Sequence, residues 1–256
     1  MSRFRVLQFN MQFGQCWDEE RPDEAPLRLD LTLAEIRRHD ADIVMLQEVE
    51  HAQPGGRQVV PPPNYTRLRD ALPGYHGWFS YPRADPRELP FGVGLAILAR
   101  AELSDCTRLD LPSPPIEFDF QGRRTTPTDR LLIGARTIIA GREVQLLNTH
   151  LLAFFMLGSS STRNPFQRRM VAEQLEAAKG PMLLAGDFNV SGHASLVAEF
   201  AARGFRTVQD MRPTWRRRPY VLDHIFHNNH LRCVAHRVEP TPASDHLVLA
   251  ADFEFA

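Results

Sequence analysis

Hydrophobic and polar positions along this chain alternate between two periods. Residues 4–9 read as a strand, residues 26–39 place Leu27, Leu31, Ala34 and Ile36 at helical spacing, and residues 43–46 form an apolar run of buried-strand length. A Pro- and Gly-rich stretch at 53–64 reads as a loop and residues 65–72 as a second helix, followed by paired strands at 75–81 and 93–98. Residues 111–128, rich in Pro and polar side chains, read as a long surface loop. Residues 131–139 and 144–148 alternate around Ala140-Gly141, a hairpin signal. Helices at 165–178 and 194–203 flank an apolar run at 182–185, and three further strands follow at 221–226, 231–238 and 247–253. About ten or more strands with helices between them predict two sheets packed together and covered by helices, in one α/β domain over residues 1–256.

Composition narrows this picture only a little. A hydrophobic content of 43% and a charged content of 24% are ordinary for a globular chain of 256 residues. No run of about 18 apolar residues exists, so no transmembrane segment is expected. The start, Met1-Ser2-Arg3-Phe4, lacks a charged-then-apolar leader, which predicts a cytoplasmic protein. Cys16, Cys106 and Cys233 are odd in number and widely spaced, which supports neither a disulfide framework nor a zinc site. A net charge of −1 excludes a strong overall positive field, although the second half of the chain is mildly basic. Lys179 is the one lysine among 30 basic residues, and the arginine excess suits planar recognition of phosphate.

Candidate chemistry sits where strands end. The run Met182-Leu183-Leu184-Ala185 stops at Gly186-Asp187-Phe188-Asn189, which puts Asp187 and Asn189 on one face if the strand continues and Phe188 on the other. An Asx-type turn is the plainer reading of the same residues. Asn10 closes the first strand, Glu48 the second and His150 the strand Leu147-Asn148-Thr149, while Asp223 lies in Leu222-Asp223-His224 and Asp245 and His246 precede the last strand. Each has an ordinary explanation by itself as a turn former or a solvated edge. Six strands ending in carboxylate, amide or imidazole are harder to explain so, because carboxylates resist burial without partners. A metal ion with a phosphate is the most economical shared partner.

In combination, Gln8-Phe9-Asn10, Gln47-Glu48, Asn148-Thr149-His150, Gly186-Asp187-Phe188-Asn189, Asp223 and Ser244-Asp245-His246 resemble the endonuclease/exonuclease/phosphatase superfamily, which includes deoxyribonuclease I, exonuclease III-like nucleases, neutral sphingomyelinases and inositol-polyphosphate 5-phosphatases. The resemblance implies a four-layer α/β sandwich, two mixed β-sheets face to face with helices outside, and hydrolysis of a phosphodiester with Mg²⁺ or Mn²⁺. Such hydrolysis needs a metal to neutralise phosphate charge, an oriented water and a proton source for the leaving oxygen. Glu48 is the expected metal ligand with Asn10 beside it, as the family pattern implies, since Mg²⁺ prefers oxygen donors and keeps several waters. His246 is expected as base or charge stabiliser, oriented by Asp223, and Asp187 as the group that positions water or assists departure. Asn189 and His150 would donate to phosphate oxygens, and Asp245 would contact His150 or the metal through water. Gln12 departs from the pattern, since many members carry Asp or Asn there. His at 150 in place of Tyr resembles the deoxyribonuclease I and sphingomyelinase branches.

Substrate choice rests on thinner signals. Arg163, Arg168 and Arg169 follow the His150 strand, and Arg212, Arg216, Arg217 and Arg218 surround Trp215, so arginine and indole could bind phosphate and stack a base in a nuclease. The apolar run Leu151-Leu152-Ala153-Phe154-Phe155-Met156-Leu157 offers a second reading, an exposed lip of Phe154, Phe155 and Leu157 for peripheral membrane contact or a lipid or small phosphodiester, or else plain core. A non-catalytic binding module on the same fold is the remaining alternative.

Overall fold

The computed structural model describes residues 3–256, so Met1 and Ser2 of the expected leaderless start lie outside it. The strands are β1 (Arg3–Asn10), β2 (Ile43–Gln47), β3 (Glu50–His51), β4 (His76–Ser80), β5 (Gly92–Val93), β6 (Leu95–Ala99), β7 (Leu103–Leu111), β8 (Phe118–Phe120), β9 (Arg123–Thr125), β10 (Arg130–Ile139), β11 (Arg142–His150), β12 (Met182–Asp187), β13 (Arg206–Thr207), β14 (Asp223–His227), β15 (Leu231–Glu239) and β16 (Val248–Phe255). The helices are α1 (Leu29–His39), α2 (Pro63–Ala71), α3 (Phe166–Glu176) and α4 (His193–Ala201). One six-stranded sheet runs β15-β16-β1-β2-β6-β4 and the other β13-β14-β12-β11-β10-β7. Each is mixed: β1 with β2 and β11 with β12 are parallel, and their other neighbours are antiparallel.

Alternation along each strand builds the layers. Val6, Ile43, Met45, Ile133, Leu146, Leu183 and Ile225 point into one core between the sheets. Their neighbours Leu7, Val44 and Leu46 point outward into a second core with Ile36 of α1 and Leu68 of α2. On the opposite side Leu132, Met182, Leu184 and Phe226 meet Val171 and Leu175 of α3 and Phe200 of α4. These strands are apolar on both faces because both faces are covered, and each large aliphatic side chain removed from water contributes about 1.5–3 kcal/mol. The result is helices, sheet, sheet, helices. Among the described residues no helix is long and apolar enough to cross a membrane.

Three elements depart from the sequence reading. Leu27 bridges to Gln15 ahead of α1 and is 62% exposed, outside the buried helical face. The long loop contains the β8–β9 hairpin. The edge strand β7 went unread because its middle residues, Ser104 to Arg108, face solvent and carry no alternating apolar signal.

Candidate active site

The same alternation decides which polar residues meet. Gln8 and Asn10 share the face of Val6, Gln47 that of Met45, Asn148 and His150 that of Leu146, Asp187 that of Ala185, and Asp223 that of Ile225. All project between the sheets at one end of the sandwich.

The inner layer of this end is amide. Gln8 Nε2 donates to Gln47 Oε1 at 2.7 Å and to Asp223 Oδ1 at 2.8 Å, and Gln47 Nε2 donates to Asn148 Oδ1 at 2.7 Å. Asn148 Nδ2 in turn donates to the Leu46 and Ala96 carbonyls at 2.9 Å, which ties one sheet to the other through buried groups.

The outer layer is ionisable. Asn10 Nδ2 donates to Glu48 Oε1 at 2.9 Å and to Asp187 Oδ2 at 3.0 Å, while its Oδ1 accepts the Gln12 N–H. Glu48 follows β2 with φ +49°, an uncommon conformation for a non-glycine residue, and its carbonyl accepts the Phe13 N–H. Gly92 packs flat against it, where a Cβ would come within 2.2 Å of the Glu48 side chain. Burial pushes Glu48 up to about 7, with the Asp245 charge adding to the shift and the Asn10 hydrogen bond opposing it.

Asp187 joins two clusters. It closes β12 opposite His150 on β11 and Asp223 on β14, and its Oδ2 lies 3.6 Å from Nε2 of both His150 and His246. The close approach of β11 to β12 explains Gly186, where a Cβ would come 2.1 Å from the Thr149 carbonyl oxygen. Burial and the Asp223 charge raise Asp187. Burial also holds His150 neutral, well below the ordinary imidazole range, with Arg130 and His246 acting the same way. His246 goes the other way. Burial opposes its charge, but Asp223, whose Oδ2 lies 2.8 Å from Nδ1, and Asp187 together hold the ring well above its ordinary range.

Glu48, His150 and Asp187 present ligand atoms within 4.8 Å of one another, as do Asp187, Asp223 and His246. Half-buried Glu48 and buried Asp187, two carboxylates that resist ionisation and are held near each other by one bridging amide, fit a divalent cation, whose charge relieves their desolvation. The donor set is rich in oxygen, as Mg²⁺ or Mn²⁺ prefers.

Strand β12 ends at Asp187, so Asn189 does not continue it. Its N–H donates to Asp187 Oδ1 at 2.9 Å in an Asx-like turn and its Nδ2 donates to the Leu151 carbonyl, while Phe188 enters the core. The Asp245 carboxylate accepts from Trp215 Nε1 at 3.0 Å and Arg217 Nε at 2.8 Å rather than from His150. Trp215 lies beside the site, its ring centroid 6.3 Å from that of His246. Arg216, expected to bind substrate, instead donates to the Thr241 carbonyl at 2.9 Å and covers the Trp17 ring, a backbone acceptor and an indole face that engage its guanidinium within the fold. Arg168 is buried and pairs with Glu199, and Arg212 reaches the Val238 carbonyl. Arg163 and Arg218 remain exposed. The apolar lip is also corrected: Leu151, Leu152 and Phe154 are buried, Phe155 packs on Trp215 and Tyr220, and only Met156 is freely exposed. A short turn folds this segment back onto the sheet, where apolar contact outweighs exposure.

Arg130 was missed. It opens β10 one residue before Leu131, the partner of His150, lies close enough to act electrostatically on Glu48 and His150, and keeps a buried Nε without a hydrogen-bond partner. An unpaired arginine facing neutral and acidic groups is a signal that sequence spacing does not carry.

A sequence model described as the Endonuclease/Exonuclease/phosphatase family matches residues 7–246. No curated protein matches the chain in sequence. Among solved structures, an endonuclease/exonuclease/phosphatase from Beutenbergia cavernae is similar with a TM-score of 0.74 and 21% identity, over 100% of this chain and 72% of that one. One from Bacteroides vulgatus gives 0.73 and 19%, over 100% of both chains. A mannosyl-6-phosphatase from Bacteroides thetaiotaomicron gives 0.71 and 16%, over 98% of this chain and 100% of that one. At these identities the likeness to solved structures is one of fold. The family match over nearly the whole length, on a site assembled from the motifs that suggested it, makes this chain a member of the endonuclease/exonuclease/phosphatase family of phosphoesterases.

Proposed function

We propose that this chain is a hydrolase dependent on Mg²⁺ or Mn²⁺ that cleaves a small phosphoester or phosphodiester. One observation carries the reading: Asp187 belongs at once to a carboxylate cluster suited to a cation and to an acid–base pair with His246, so binding and proton transfer share one residue. Glu48, Asp187 and Asn10 would hold the cation, which when bound neutralises phosphate charge. Arg130, with Asn189 and neutral His150, would hold phosphoryl oxygens. Asp187 and His246, 3.6 Å apart, would act as the acid–base pair, and Asp223 keeps the imidazole ring in place through Nδ1. As a water oxygen bonds to phosphorus in line with the departing oxygen, one member of the pair takes the water proton and the other gives a proton to the leaving alcohol. The products are the alcohol and a phosphate or phosphate monoester.

A nuclease would draw on Arg163, Arg168 and Arg169 after the His150 strand and on Arg212, Arg216, Arg217 and Arg218 around Trp215. Arg168, Arg212, Arg216 and Arg217 are engaged within the chain, which leaves exposed Arg163, Arg169 and Arg218 and the Arg130 beside the cluster, a short track for a polyanion whose binding depends on many phosphate contacts. Burial of Leu151, Leu152 and Phe154 similarly withdraws support from the membrane lip. The test is hydrolysis of bis-p-nitrophenyl phosphate beside plasmid DNA and sphingomyelin vesicles. Small-ester turnover abolished by EDTA and restored by Mg²⁺ or Mn²⁺ is expected. EDTA-resistant turnover would sink the metal-dependent reading, and efficient nicking of plasmid would restore the nuclease.

A further inference from the structure

On β14 the residue after Asp223 points to the other face of its sheet, away from the catalytic cluster. There His224 is fully buried, its ring packed on those of Phe188 and Phe226. Its Nδ1 lies 2.9 Å from Thr207 Oγ1, which also accepts the Gln209 N–H at 3.1 Å. Its Nε2 has no hydrogen-bond partner among the described residues. A buried ring nitrogen in that state costs free energy and calls for a reason.

Two further donors stand beside this ring. His193, which opens α4, has its ring centroid 5.9 Å from that of His224, and its Nε2 lies 3.0 Å from Met211 Sδ. Met211 follows β13 with φ +72°, an uncommon conformation for a long side chain, and is 58% exposed. Its thioether lies against His193 instead of entering the apolar core. Both separations match a single shared ion: with metal bonds of about 2.0–2.3 Å to nitrogen and sulfur, two ligand atoms lie about 3–3.7 Å apart and two imidazole centroids about 5–6.4 Å apart.

We infer that His224, His193 and Met211 form a binding site for monovalent copper, separate from the catalytic cluster. The donor set selects the ion, since a thioether is a soft ligand that suits Cu(I), and imidazole suits copper as well. Burial pushes His224 down to about 3, with the His193 charge acting the same way, and burial also lowers His193, so both rings are neutral at pH 7 and offer lone pairs. Three neutral ligands leave the charge of the ion uncompensated, which favours one positive charge over two in a largely buried place. Thr207 completes the arrangement: by accepting Nδ1–H it fixes the tautomer of His224 that keeps Nε2 open for a metal.

This inference does not depend on hydrolysis, and its test is binding. Thiols also take Cu(I), so the chain carrying Cys16→Ser, Cys106→Ser and Cys233→Ser is titrated without oxygen with Cu(I) in competition with bicinchoninate. One equivalent withdrawn from the chelator is expected. His193→Ala and Met211→Ala, on half-buried and exposed side chains, should each weaken that binding at least ~10-fold while melting as their parent does, the loss that even a supporting group costs a metal site. X-ray absorption of the copper-loaded chain should show a sulfur neighbour that disappears in Met211→Ala. If the serine chain does not fold, the parent is titrated instead, and the site is the one equivalent that His193→Ala removes. No binding, binding that neither variant weakens, or copper without a sulfur neighbour overturns the site and leaves His193 and Met211 as an N–H···S contact only.

Discussion

The two polar layers between the sheets use similar residues and behave in opposite ways. In the inner layer Gln8, Gln47 and Asn148 lie 2.7 Å apart in sequence of donation and spend their hydrogens on one another and on backbone carbonyls. In the outer layer Glu48, His150, Asp187 and His246 stand 3.6–3.8 Å apart, and burial displaces their protonation in different directions. Neutral amides can satisfy each other, so they stabilise the join between sheets. Buried carboxylates cannot, so they keep an unmet need that a cation and a phosphate would fill. The contrast separates residues whose polar groups are satisfied within the fold from ionisable residues whose needs are not, although both lie on neighbouring strand ends.

The sharpest way to break this distinction is at the proton-transfer pair. His246→Ala and Asp187→Asn should each lower kcat by at least ~10²-fold on bis-p-nitrophenyl phosphate while the fold melts cooperatively. Near-normal kcat in His246→Ala would remove it from the chemistry, and Asp223→Asn should be milder because it acts through the ring. Next come the cation residues. Glu48→Gln, and Gly92→Ala, which forces a Cβ into the Glu48 side chain, should weaken the apparent Mg²⁺ affinity by about 10–100-fold, read from metal titrations of the rate. An unchanged titration in Gly92→Ala would mean that the Glu48 position does not matter.

The inner layer should respond in stability instead. Gln47→Ala leaves Asn148 Oδ1 and Gln8 Nε2 short of a partner and should cost about 1–3 kcal/mol in denaturant unfolding, with little change in Mg²⁺ affinity. A large loss of metal affinity without a stability change would erase the difference between the layers. The smallest effect concerns pH. Glu48 moves from 4.5 up to about 7 on folding, so its neutral form favours the metal-free fold in acid, and that contribution, on the order of 2 kcal/mol, is lost as pH rises from about 4.5 through 7. Mg²⁺ should therefore raise the melting temperature more at pH 8 than at pH 5, and in Glu48→Gln the difference between the two increments should shrink, with the remainder belonging to Asp187.

Much of this protein was legible in the chain. Apolar runs at β2 and β12 and alternating ones at β10 and β11 marked strands, and because successive side chains of a strand point to opposite faces, Asn10, His150, Asp187 and Asp223 share the face of Val6, Leu146, Ala185 and Ile225. The strand-end motifs by themselves carry the resemblance to the phosphoesterase family. The tertiary structure alone decided the partners. Arg168, Arg216 and Arg130 look alike in sequence, yet one braces two elements, one covers Trp17 and one, without an ion pair among the described residues, acts through its charge on Glu48 and His150. The apolar run after His150 likewise divided into buried Phe154, half-buried Phe155 and exposed Met156 only when a turn placed each against a neighbour. Periodicity survives in sequence because it is local, with a repeat of two or 3.6 residues. Charge pairing and exposure depend on which residues, distant along the chain, come within about 4 Å, and that distance is set by packing rather than by spacing.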